Sequence, residues 1–315
     1  MFKKRFVAVL CSGLMMSTAT AAFAGAGPAG HDHTHTPNPS VTVAATTVAG
    51  NVSVVMGQGG FAGGNVGVSA GPDGLLIVDN LMPGFAYKLE GVLDQLKTCI
   101  NCGDLKYLIN THWHFDHAGN NEHFGGDAVL IAHQAVRPLL AKEQEVKALN
   151  MKFAAKSREG LPDITITRKA SVFFNGEEIE ITHFPKSHTS GDVAVYFSGS
   201  NVLHLGDLYF NGMFPFVDVE NGGNVKGIIR SIEAVLAQYP DDVKIIPGHG
   251  ALSSKSKVRA YLDMLKQTTR TVEKAKSKGM SLEEIQKRGL DEKWQSWAWQ
   301  FVNTESWIAM VYNSL

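Results

Sequence analysis

Six consecutive residues, His112-Trp113-His114-Phe115-Asp116-His117, hold three imidazoles and a carboxylate, a density of donor groups that reads as a metal site. Along an extended strand alternate side chains share a face, so His112, His114 and Asp116 are expected to converge while His117 leaves the alternation at a turn. One stretch can then serve two adjacent metals. A lone His-x-His would more often be an ordinary polar pair, but further candidate ligands follow. They are His188 in Ser187-His188-Thr189-Ser190-Gly191-Asp192, Asp207 in His204-Leu205-Gly206-Asp207, and His249 in Pro247-Gly248-His249-Gly250. Each stands where an apolar, strand-like run gives way to a glycine-containing loop.

The N-terminus bounds the compartment. Met1-Phe2-Lys3-Lys4-Arg5 is basic, Phe6 to Met16 is apolar, and Ala22-Phe23-Ala24 is a small-x-small cleavage pattern, which together describe a secretory signal peptide over residues 1–24. The apolar run is shorter than the roughly 18 residues of a membrane span, so a periplasmic or secreted chain with no anchor after cleavage is expected. Cys11 lies inside that run after Leu10, which does not suit lipid attachment. Loss of Lys3, Lys4 and Arg5 from 29 basic residues leaves 26 against 30 acidic, so no nucleic-acid partner is indicated. Cys99 and Cys102 then remain, and in an oxidising compartment this pair reads as a local disulfide staple rather than a redox centre. Residues 25–40 are rich in Gly, Pro and His and read as a disordered linker, in which His31, His33 and His35 form a solvated tail or a metal-scavenging arm.

Val41 to Asp79 shows short β-branched runs broken by glycines, a strand meander interrupted by Gly57 to Gly64. A dinucleotide-binding glycine loop would need a helix next, whereas Asn65-Val66-Gly67-Val68 looks like strand. Helical spacing follows over Gly84 to Thr98, Gln134 to Lys142 and Val225 to Gln238, with strands at Leu105 to Asn110, Ala128 to Ala132, within Ile164 to Thr182 and Val193 to Leu205, and at Val243 to Ile246. Such alternation implies an α/β fold of two sheets between outer helices, with the candidate ligands on loops at one edge. Beyond Ser254, residues 255–315 form a charged helix, Lys255 to Lys278, then a capping box at Ser281 and Glu284. Trp294, Trp297, Trp299, Phe301, Trp307 and Tyr312 crowd the last stretch and read as the packing of a C-terminal helical subdomain onto the core.

The ordered set His-x-His-x-Asp-His, His-Thr-x-Gly-Asp, Gly-Asp and Pro-Gly-His-Gly, from about Val52 to Ser254, resembles the metallo-β-lactamase superfamily. Any one of these motifs is weak; all of them in this order are strong. The resemblance implies a four-layer αββα sandwich over residues 41–254. It also implies that His112, His114 and His188 hold one metal, that Asp116, His117 and His249 hold a second, and that Asp207 bridges them. With nitrogen and oxygen donors and no thiolate, two zinc ions suit the set, and iron or manganese fit the same donors. Metal coordination brings the pKa of bound water to roughly 7, which makes hydroxide available as the nucleophile, with Asp116 orienting it. Asp79 and Thr111 are candidates to fix histidine orientation. Asn224 matches a position that holds the substrate carbonyl in some relatives, although Asn is also a good helix N-cap.

By the same resemblance the Gly57–Gly64 loop lies beside the site with Phe61 as a substrate cover. The unusually apolar loop Tyr209 to Phe216 is expected, through Met213, Phe214 and Phe216 together with Phe115, to line a pocket for a small apolar molecule, although burial in the core would explain it equally. His123, His133, His183 and His204 match no ligand position and read as structural. Asp207 stands where the best-known secreted zinc β-lactamases carry a cysteine, and Phe210 where they carry a substrate-binding lysine. The expected activity is therefore acyl hydrolysis of a lactone, ester or thioester, as in the glyoxalase II and lactonase branches, with β-lactam hydrolysis second. A periplasmic zinc-binding or delivery protein is the alternative of another class, and a mononuclear iron oxygenase a more distant one.

Overall fold

The computed structural model describes residues 38–97, 103–147 and 151–315. The leader, residues 25–37 of the linker with His31, His33 and His35, and the Cys99 and Cys102 pair lie outside the described residues. The first sheet begins with the antiparallel meander β1 (Thr42–Ala49), β2 (Val52–Gln58), β3 (Val66–Gly71) and β4 (Gly74–Val78). Helix α1 (Ala86–Leu96) crosses over to β5 (Leu105–Ile109), parallel to β4, and the short α2 (Asn121–Phe124) leads to β6 (Val129–His133), parallel to β5. Then come α3 (Val136–Leu140), shorter than Gln134 to Lys142, and a hairpin of β7 (Gln144–Val146) and β8 (Met151–Phe153) that has no periodicity strong enough to announce it.

The run Ile164 to Thr182 is divided between the sheets. Strand β9 (Ile164–Ile166) completes the first, parallel to β6, while β10 (Lys169–Phe174) and β11 (Glu177–His183) open the second. Asn175 and Gly176, at φ 51° and 80°, make the tight turn between β10 and β11 that two left-handed residues allow. The sheet continues through β12 (Val193–Phe197), β13 (Val202–His204), β14 (Lys244–Ile246) and β15 (Ser253–Ser254). Helix α4 (Val225–Gln238) makes the crossover that sets β14 parallel to β13. Helices α5 (Lys255–Lys276), α6 (Leu282–Arg288) and α7 (Thr304–Ser314) close the chain, with the Ser281 and Glu284 capping box formed.

Strand β4 shows why two layers of sheet result. Leu76 and Val78 point into a core shared with Ile179, Ile181, Val195 and Phe197 of the second sheet, while Leu75 and Ile77 point outward to Leu89, Val92 and Leu93 of α1. Both faces are covered, so the strand is apolar throughout. On the far side Leu203 and Ile245 meet Ile228, Ile232 and Val235 of α4, then Tyr261, Met264 and Leu265 of α5 and Trp307 of α7. The layers therefore run helix, sheet, sheet, helix, with the C-terminal helices added to the last. No helix among the described residues is long and apolar enough to cross a membrane.

Candidate metal centre

The candidate ligands follow the C-terminal ends of β5, β11, β13 and β14. Strand β5 stops at Ile109, and the chain then turns, with the backbone N–H groups of His117 and Ala118 both donating to the His114 carbonyl at 3.1 and 2.9 Å. The expected strand alternation is thus corrected: a turn gathers the motif, and it sends His112 and His114 to one group and Asp116 and His117 to another. His112, His114, His188 and Asp207 offer donor atoms within 4.8 Å of one another, as do Asp116, His117 and His249. All seven side chains are buried. Glycines let the backbone close against them: a Cβ on Gly64 would lie 2.1 Å from the His117 ring, and one on Gly248 2.0 Å from Asp207 Oδ1.

The hydrogen bonds behind the rings decide which nitrogens face inward. Thr111 Oγ1 donates to Asp79 Oδ2 at 2.7 Å and so accepts from His112 Nδ1 at 3.0 Å. His188 Nδ1 donates to the Phe216 carbonyl at 2.8 Å, and His114 Nε2 donates to Asp218 Oδ2 at 3.0 Å. The inward atoms are therefore His112 Nε2, His114 Nδ1 and His188 Nε2, and His114 Nδ1 stands 3.0 and 2.8 Å from the other two. In neutral imidazoles each carries a lone pair there. A proton on one of them relieves only part of this repulsion, whereas a metal ion satisfies all three donors. In the second group His117 Nδ1 donates to Asp79 Oδ2 at 2.7 Å, which turns its Nε2 toward His249 Nε2 at 3.3 Å.

Asp207 stands between the groups. Its Oδ2 lies 3.4 Å from His188 Nε2 and 3.9 Å from His112 Nε2, and its Oδ1 lies 3.1 Å from His117 Nε2 and 3.4 Å from His249 Nε2. Oδ1 is buried with no well-formed hydrogen bond, and a cation would satisfy it. The seven residues thus fit a two-metal cluster in donor type, orientation and burial.

Electrostatics separate the two groups. Burial, with the neighbouring His117 and His188, pushes His112 well below the ordinary imidazole value, and burial brings His188 to about 4. Burial would also lower His117 and His249, but Asp207 and Asp116 outweigh it, holding His117 well above its ordinary value and His249 at about 9. Burial would raise Asp207, yet His117 and His249 keep it well below the usual carboxylate range.

Asp79 is wholly buried and accepts from Thr111 N and Thr111 Oγ1 as well as from His117. Asp218 does for His114 what Asp79 does for His117, and sequence reasoning missed it. It is 104 residues from His114 in a stretch with no motif, so only the fold could reveal it. Replacing Asp218 with Ala leaves His114 Nε2 without its acceptor and the ring free to turn. The His112, His114 and His188 group is then expected to bind zinc about 10–100-fold more weakly in competition with a chromophoric chelator. Unchanged affinity would show that packing alone fixes the ring.

An open cavity, about 460 Å³ of empty space including the part continuous with solvent, gives onto His114, Asp116, Asp207 and His249. Of the expected lining, Phe61, Phe115 and Phe216 are there, joined by Phe210, Val146, Trp299 and Phe301. Phe115 stacks on Phe153 of β8 at 4.6 Å, which brings the β7–β8 hairpin to the rim. Met213 and Phe214 are not part of this lining: Phe214 is fully buried and stacks on Trp307 at 5.6 Å, and Met213 packs against the same core. The loop from Tyr209 is irregular and does not alternate, so Phe210 and Phe216 reach the cavity while Tyr209 and Phe214 face the core. Asn224 is also placed away from the centre, because it caps α4, accepting from Gly227 N at 3.0 Å and donating to the Ser314 carbonyl at 3.0 Å. His123, His133, His183 and His204 lie outside both groups with partners of their own, the stacked pair His133 and His183 at 3.7 Å among them.

Comparison with known proteins agrees with this geometry. The chain is 28% identical over 179 residues to the probable hydroxyacylglutathione hydrolase glo2 of Schizosaccharomyces pombe, covering 55% of this chain and 59% of that protein. It is 28% identical over 157 residues to the hydroxyacylglutathione hydrolase GloC of Haemophilus influenzae, covering 48% of this chain and 71% of that protein. In structure it superimposes on a metallo-beta-lactamase from Pontibacter korlensis with a TM-score of 0.59 at 18% identity, over 71% of this chain and 99% of the other. Residues 59–249 match the Metallo-beta-lactamase superfamily as a whole. That span covers well over half of the chain and contains every member of the two donor groups, so the protein belongs to the metallo-β-lactamase superfamily.

Proposed function

We propose that this chain is an exported hydrolase that uses two zinc ions, one per donor group, to cleave the acyl bond of a small apolar lactone, ester or thioester. The observation that carries the reading is Asp207, one oxygen of which faces each group at the floor of an apolar cavity. When bound, the metals would supply Lewis acidity and a lowered pKa for water at neutral pH. The reaction consumes one water: its oxygen bonds to the acyl carbon, the bond from that carbon to oxygen or sulfur breaks, and the leaving group takes a proton as the acid forms. Asp116 Oδ2, 3.3 Å from His249 Nε2 at the cavity wall, is the base placed to orient that water and accept its proton. The aromatic walls give the same volume an apolar lining. Two relatives named as hydroxyacylglutathione hydrolases support thioester cleavage, and the basic and apolar leader supports export. Iron or manganese fit the same donors, and zinc is favoured by the histidine-rich set.

The opposite shifts in the two groups predict an order of loading. In the metal-free protein burial disfavours a proton on His112 and His188, whereas Asp207 and Asp116 favour one on His117 and His249 against burial, so a metal entering the second group competes with protons. Affinity at Asp116, His117 and His249 should therefore rise with pH toward about 9, and acidification should release that metal first. Calorimetric titration in buffers of different ionisation enthalpy checks this, and zero net proton release on binding the second metal would contradict it.

The functional reading is tested by turnover of a cephalosporin, a lactone and a thioester side by side, each with and without chelator. Chelator-sensitive cleavage of the lactone or thioester but not the cephalosporin is expected. Cephalosporin cleavage at a rival rate would make the protein a β-lactamase. Silence on all three, with metal still bound, would favour a metal carrier.

A further inference from the structure

The aromatic residues of the last stretch divide between two tasks. Trp294 and Trp307 are buried in the core with α5. Trp299 and Phe301 are only half-buried and turn instead to the cavity over the second donor group. Their segment is braced: Trp299 Nε1 donates to the Phe214 carbonyl at 2.9 Å, Trp299 N to the Val302 carbonyl at 3.0 Å, and Phe214 N to the Trp297 carbonyl at 2.8 Å. Trp299 lies 5.7 Å from His249 and 5.9 Å from Phe210, while Phe301 lies 4.9 Å from Phe61, itself 5.8 Å from His249. Phe61, Phe210 and Trp299 thus stand around the His249 imidazole, with Phe301 against Phe61 and Trp299, and their faces and edges make the pocket wall aromatic. No Lys or Arg is among the described residues that line this cavity, and its carboxylates are Asp116 and Asp207. An anionic carrier finds no cationic side chain in the wall.

Resting on the hydrolase reading above, we infer that the C-terminal segment carrying Trp299 and Phe301 is the specificity wall of the site, selecting neutral substrates with an arylalkyl acyl group over acyl groups borne on an anionic thiol. The test uses three thioesters with the zinc-loaded protein: acetyl and phenylacetyl N-acetylcysteamine, which are neutral, and phenylacetyl glutathione, whose carrier is anionic. The phenylacetyl N-acetylcysteamine ester should exceed both others at least about tenfold in kcat/KM. Trp299→Ala and Phe301→Ala should each narrow its lead over the acetyl ester by about fivefold, through KM, while Trp299→Phe keeps it. A lead that survives both alanine variants, or preference for the glutathione carrier, overturns the inference.

A second measurement needs no turnover. Phenylacetate should bind about tenfold tighter than acetate by calorimetry, a gap that the Trp299→Ala/Phe301→Ala double variant closes. If no thioester is cleaved but this gap is present and closes, the wall stands and the hydrolase reading falls. If the thioesters are cleaved and the two acids bind alike, the hydrolase reading stands and the wall falls.

Discussion

Replacing Asp207 with Ala is expected to leave the protein with at most one metal and to lower thioester or lactone turnover by at least about a thousandfold. Loss of a group that merely orients a ligand already costs 10–100-fold, and Asp207 contributes one oxygen to each donor group. Asp207→Asn should fare little better, since one oxygen becomes an NH₂ that repels a cation, and Asp207→Glu should fail for want of space beside Gly248. The alanine variant also removes from His117 and His249 the largest of the carboxylate charges that favour their protonation when metal is absent. Metal analysis after dialysis and turnover on the same sample decide the matter. Two retained metals with full rate would remove Asp207 from the bridging role.

The second large effect is expected at Asp79, and it falls on stability as well as on metal. This carboxylate is fully buried and answers three donors: Thr111 N, Thr111 Oγ1 and His117 Nδ1. In Asp79→Ala all three lose their acceptor at a cost of about 1–3 kcal/mol each. The residue is also held at φ 65°, where Ala is less tolerated than Asp. A loss of about 3–6 kcal/mol is expected in urea unfolding of the chelator-treated protein, so that metal binding does not contribute. Asp79→Asn keeps the left-handed backbone and one acceptor and should lie between. A loss below about 1 kcal/mol with metal affinity unchanged would show that Thr111 and His117 are fixed by other contacts.

These two carboxylates differ in how visible they are in the sequence. Asp207 could be named because it ends a Gly-Asp motif in the right order among histidine motifs, and Asp79 because it ends an apolar strand. Asp218, equal to Asp79 in what it does, has no motif and owes its place to the loop before α4. The same division runs through the pocket. Phe61, Phe115 and Phe216 lie in or beside recognisable loops, whereas Trp299 and Phe301 come from a C-terminal segment whose aromatics all looked alike as core packing.

The sequence by itself determined the layered α/β architecture, the meander, most helices and the full set of candidate ligands. Alternation with period two, helical spacing and glycine-bounded turns are local, and each motif carries its own chemistry in a few residues. How the ligands divide was implied by the ordered motifs, but tertiary structure decided the means, because a turn after β5, not strand alternation, sends His112 and His114 one way and Asp116 and His117 the other. It alone decided that Asn224 caps a helix, that Phe214 faces the core while Phe216 faces the cavity, and that β9 leaves its neighbours for the other sheet. Which way a side chain faces depends on surfaces brought together from distant parts of the chain, and no local periodicity encodes that meeting.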